Sequence, residues 1–102
     1  MSSPSQIPQT PAAVPERVYT DRQLAHLLEI SSQVECECPN NVAKLVSSLL
    51  AFERYSATCQ NRNAEDAAMH ALLHRQTAAA RALMEEGLRE LVHFENIEVP
   101  EI

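Results

Sequence analysis

The stretch NNVAKLVSSLLAFERYSATCQNRNAEDAAMHALLHRQTAAARALMEEGLRELV, residues 40–92, decides the fold. Val42, Leu45, Val46, Leu49 and Phe52 recur at intervals of three and four, followed by Ser56 to Cys59. That spacing places an apolar stripe along one side of a helix, whereas a half-buried strand alternates with a period of two. Pro39, immediately upstream, suits a first helical turn because its missing N–H has no helical partner there. A helix is therefore predicted over about 39–60. QNRN at 60–63 is a polar turn of the length that joins antiparallel helices. The next segment opens with Glu65 and Asp66, acids that favour a helix N-terminus, and meets no proline until Pro100. A second long helix is predicted over about 64–95.

Working upstream, YTDRQLAHLLEISS at 19–32 offers Thr20 as N-cap and Gln23 three residues on, the pattern of a capping box. Leu24, Leu27, Leu28 and Ile30 share roughly one face, so a short helix is predicted over about 21–31. Between the short helix and the first long one lies VECECPN, residues 34–40. Pro39 disfavours helical geometry at Cys38, so residues 32–38 are predicted to bend, with Cys38 or Asn40 at or beside the next N-cap. Residues 1–17 hold four of the six prolines with Ser, Gln, Thr and Ala, the composition of a disordered tail or linker. The helical domain is expected over 18–97 and a flexible end over 98–102.

At about 1.5 Å per residue the two long helices measure roughly 33 and 48 Å, so the second overhangs the first. The short helix most simply crosses that overhang near Leu88, Leu91 and Val92. Gly87, the single glycine, would then permit a close helix crossing. The fold class expected is all-α: a short helix plus a long antiparallel helical hairpin. Such an arrangement leaves apolar surface open, and Ala78, Ala79, Ala80 and Ala82 form a slim stretch that another helix can approach. Dimerisation into a helical bundle closes that surface, with Leu73, Thr77, Ala79, Ala80, Leu83 and Met84 at the interface.

Composition limits the functions. The chain has 102 residues and a net charge of −6, with Glu85, Glu86, Glu90, Glu95, Glu98 and Glu101 near its end, which would repel a polyanion; direct nucleic-acid binding is not expected. No stretch approaches 18 consecutive apolar residues and the start lacks the pattern of a signal peptide, so a cytoplasmic protein without membrane contact is expected. Three cysteines, an odd count, fit reduced thiols. No glycine-rich phosphate loop and no nucleophile with a positioned base can be read, so no enzyme is expected and no cofactor.

Two constellations carry candidate chemistry. Cys36 and Cys38 supply two thiols, and Cys59 is the third; zinc needs four ligands converging on one point. Cys59 sits about 30 Å along a helix from Cys38, too far for an intrachain disulfide, which requires alpha carbons within about 7 Å. In an antiparallel dimer Cys59 would approach Cys36 or Cys38 of the second copy. The helix N-terminus should lower the Cys38 pKa somewhat, against the repulsion of Glu35 and Glu37. His70 and His74, four apart, use the spacing of helical metal sites, though neither has a glutamate three residues before it as the di-iron pattern requires. The plainer reading pairs Glu53 with a histidine, with Tyr55 hydrogen-bonding nearby. Zinc or another transition metal on Cys36, Cys38, Cys59, His70 and His74 is the alternative to no cofactor.

CECP at 36–39, FERYS at 52–56, Cys59 with NRNAEDA at 61–67, and AMHALLH with the AARAL run resemble the helical region that follows the DNA-binding part of some bacterial MerR-type transcription regulators. The resemblance covers about residues 18–97. It implies a dimerising regulatory domain with the Pro-rich start as a linker; no helix-turn-helix precedes residue 18. The function expected is thus a homodimerising helical interaction module linked to bacterial transcriptional regulation, with itself as partner and a transcription-regulatory protein as a second one. The alternative is a metal or redox sensor using the cysteines or the histidines.

Overall fold

The structure, a computed structural model, describes residues 14–30 and 36–102. It contains three helices, α1 (Asp21–Glu29), α2 (Cys38–Thr58) and α3 (Ala64–Phe94), and no strand among the described residues. The all-helical class follows, with ends within two residues of the predicted ones. Most of the expected tail (1–13) and most of the junction (31–35) lie outside the described residues.

Most helix ends have a chemical cause. Thr20 and Gln23 close the capping box: Gln23 N donates to Thr20 Oγ1 at 3.1 Å and Thr20 N to Gln23 Oε1 at 2.9 Å. Asn63 caps α3 by accepting from Asp66 N at 2.8 Å. The α2 N-cap, Glu37, makes no side-chain cap bond, and Pro39 sits in the first turn. Asn40 does not cap α2. It is buried, and its Nδ2 donates 2.6 Å to the carbonyl of Leu28, one of the last-turn groups of α1 that lack a helical partner. One asparagine thus ends one helix from inside the next.

The C-terminal end of α3 is a Schellman motif: Ile97 N bonds to Val92 O at 3.0 Å and Asn96 N to His93 O at 3.2 Å, with Asn96 left-handed at φ 54°. Asparagine tolerates that conformation better than most residues. The turn sends residues 97–102 back against α1. There Glu98 O, Pro100 O and Ile102 O lie opposite His26 Nε2, Gln23 Nε2 and Thr20 Oγ1 at 3.2, 2.8 and 2.7 Å. Glu98, Pro100 and Ile102 of the segment anticipated as a flexible end thus meet the N-cap Thr20 and the α1 residues Gln23 and His26, which are spaced three apart.

The two long helices pack on each other, with Ser56 beside His74 and Glu53 bonded to Arg81. α1 packs chiefly on α2 rather than across the overhang of α3, and also runs opposite to it: Asp21 pairs with Arg54, and Leu28 with Asn40. Tyr19, Leu24, Leu27, Ile30, Ala43, Val46, Leu50 and Leu88 form the buried apolar core, with Val92, Ile97 and Val99 against it. Gly87 does not serve a helix crossing. A Cβ built there would meet nothing within 4 Å.

Candidate functional site

The most constrained polar cluster is buried between α2, α3 and the arm of residues 14–19. Arg81, on α3, is 1% exposed and Glu85, one turn on, is fully buried. An arginine has five N–H donors in a fixed fork and no acceptor. Here all five are used: Nε donates to Glu53 Oε1 at 3.0 Å, Nη2 to Glu53 Oε2 at 3.1 Å and Pro15 O at 2.7 Å, and Nη1 to Glu85 Oε1 at 3.0 Å and Glu16 O at 3.1 Å. The remaining Glu85 oxygen, Oε2, accepts from Val18 N at 2.9 Å and Tyr19 N at 3.2 Å. Two carboxylates and one guanidinium leave an excess of one negative charge, which the two amide N–H groups of the arm offset. Glu53 holds the guanidinium pKa above its usual value against the opposing cost of burial, with Glu85 adding to the rise. Burial is also the main reason the Tyr19 phenol is pushed up, while Arg89 pulls it down and Glu85 and Glu86 add to the rise.

The sequence reading missed this clamp. It paired Glu53 with histidine and counted Glu85 among the acids that would repel a polyanion. Glu53 binds Arg81 instead, and Glu85 never meets water. His74 Nδ1 lies 2.9 Å from the backbone carbonyl of Glu53 and 3.4 Å from Ser56 Oγ, and the carbonyl, an acceptor, fixes the proton on Nδ1. Tyr55 is exposed and bonds to neither; it accepts from the Cys59 thiol at 3.8 Å. The usable signal was a cation among four alanines, one turn ahead of a glutamate on the same face.

The five candidate ligands do not converge. Cys36 and Cys38 are exposed, free and adjacent, with Cys38 N donating to Cys36 Sγ at 3.4 Å. Contrary to the expected lowering at a helix N-terminus, the Cys38 thiol is raised, first by its bond to Cys36 and the charge there, then by desolvation and Glu95. Cys59 is free at the far end of α2, beside Tyr55, whose phenol it raises. His70 Nδ1 lies 2.6 Å from Asn61 Oδ1 in the interhelical turn, away from the partners of His74. No group of three or more His, Cys, Asp or Glu side chains is placed to hold a metal ion among the described residues.

A third feature is apolar side chains left open to water. On α2, Leu45, Phe52 and Tyr55 are exposed, with the rings of Phe52 and Tyr55 6.1 Å apart. On α3, Met69, Leu72, Leu83 and Phe94 are exposed, Leu83 at 72% and Phe94 at 80%. Of the six residues expected at an interface, Ala79 and Leu83 are exposed, while Leu73, Thr77, Ala80 and Met84 are half-buried. Met84 also packs on the core. Ser47, Leu50, Ala51 and Arg54 of α2 line a groove against α1, whereas Leu45 and Phe52 remain exposed. No helix among the described residues is long and apolar enough to cross a membrane. Comparison of the chain with known protein families, with curated proteins and with solved structures returns no match.

Proposed function

We propose that the chain is a homodimerising helical module serving bacterial transcriptional regulation through protein contacts rather than by gripping DNA itself. The observation that carries the self-association is the apolar outer side of the long helices. Leu83 points opposite the core side chains Ala78, Arg81, Glu85 and Leu88 of the same helix, and Leu72, Ala79 and Gly87 share its face. A helix apolar on two sides is satisfied by a partner on each. The first partner is α2, in what we read as a hairpin; the second is the same surface of another copy, giving a four-helix core around a two-fold axis.

The link to transcription rests on the resemblance of residues 18–97 to the helical region of MerR-type regulators and on the acidic charge, which disfavours a polyanion. Light scattering on the full chain should give about twice its 11.4 kDa mass at micromolar concentration. Leu83→Glu and Phe52→Glu should each shift the protein to monomer with helicity unchanged. A monomer at all concentrations overturns the reading.

A further inference from the structure

We infer that docking of the arm of residues 14–19 and self-association are linked, with Arg81 as the coupling element; this rests on the self-association proposed above. Two pairs of consecutive residues carry the argument. Glu53 and Arg81 are buried in the clamp, while their chain neighbours, the exposed Phe52 and the half-buried Ala80, lie about 100° round the same helices, toward the outer side. Glu53 and Arg81 are the two-bond tie between α2 and α3 at that level, so their pairing sets the spacing and rotation at which Phe52 and Ala80 face outward.

The clamp reads only main-chain atoms of the arm: the carbonyls of Pro15 and Glu16 and the amides of Val18 and Tyr19. When the arm lifts, Arg81 loses two of its five acceptors and Glu85 loses both amides. Buried polar groups left bare in this way are costly, so the guanidinium and the carboxylates must turn toward water or each other. That movement cannot leave the α2–α3 tie as it was, and the outer face shifts with it. By reciprocity, a second copy that fixes the outer face holds the arm down. Whatever precedes residue 14 would thereby sense the assembly state of the helices.

The test uses the full chain. Amide hydrogen exchange at Val18 and Tyr19, read by NMR, reports arm docking; sedimentation reports self-association. In Glu85→Gln the amide N–H₂ must face either Arg81 or the arm amides, donor against donor. Exchange at Val18 and Tyr19 should rise roughly tenfold or more, the loss of about one charge-assisted hydrogen bond. The dimer dissociation constant should rise roughly 5- to 150-fold, the span of common coupling free energies. Since that variant also perturbs packing, the wild-type chain supplies an independent reading: on dilution through its dissociation constant, exchange at the same two amides should accelerate. Fast exchange with unchanged dimerisation, or wild-type exchange indifferent to dilution, overturns the linkage while self-association stands. A wild-type chain that never dimerises overturns both, and the sedimentation record alone distinguishes that case.

Discussion

Replacing Arg81 by methionine removes the one cation from a cluster of two buried carboxylates. The methionine stem still fills most of the aliphatic volume of arginine, so the loss is chiefly electrostatic. Glu53 loses both bonds to its carboxylate, Glu85 loses one, and Pro15 O and Glu16 O lose theirs. Breaking a buried pair by removing one partner costs about 3–5 kcal/mol, because a bare charge is left in the interior. Typical domains have about 5–15 kcal/mol in all, so the variant should be marginal, with a melting temperature lower by roughly 12 °C or more. Urea unfolding followed by far-ultraviolet circular dichroism measures the change. The control is the triple variant Arg81→Met, Glu53→Leu, Glu85→Leu, in which no charge is stranded; it should recover most of the loss, since apolar replacements of buried ion clusters are often neutral or stabilising. A loss below about 1 kcal/mol in the single variant would refute the reasoning, for it would mean that water reaches the cluster.

In the Leu83→Glu background, where no second copy covers that face, Gly87→Ala should stabilise by about 0.5–1 kcal/mol, as a Cβ there meets nothing in the single chain and glycine is a poor helix former; a loss would show that something packs on that spot. Asn40→Ala should cost about 1–2 kcal/mol by stranding the Leu28 carbonyl, and α1 amides should exchange faster than those of α3. Asp21 and Asp66 are held below the usual aspartate range, Asp21 by Arg17 and then Arg54, Asp66 by Arg62. Their contribution is therefore complete above that range and lost as pH falls through the lowered values, and Asp21→Asn with Asp66→Asn should flatten the acid limb of a pH–melting curve.

The helices were legible because periodicity and caps are local: Thr20 with Gln23, and Pro39, each act within one turn. The clamp was not, because Glu53 and Arg81 lie 28 residues apart and any of several carboxylates fitted the sequence equally well. The same limit misplaced α1. Length arithmetic favoured the overhang, but the Asp21–Arg54 pair and the Leu28–Asn40 bond hold it along α2. Asn40 shows the problem in one residue: its position suggested a cap, and its side chain does cap, but for the helix before it.

The returning segment after Asn96 imposes a counting rule on the gene as well as on the fold. Ile97 and Val99 face the core while the carbonyls of Glu98, Pro100 and Ile102 meet α1, a repeat of two read by a helix with a repeat of three. Substitutions at Glu98 or Glu101 leave that phase intact. Inserting or deleting a single codon between Asn96 and Val99 inverts it, turning a carboxylate inward and an isoleucine or valine outward, while a two-codon change restores it. This short segment should thus accept changes of letter far more readily than changes of length.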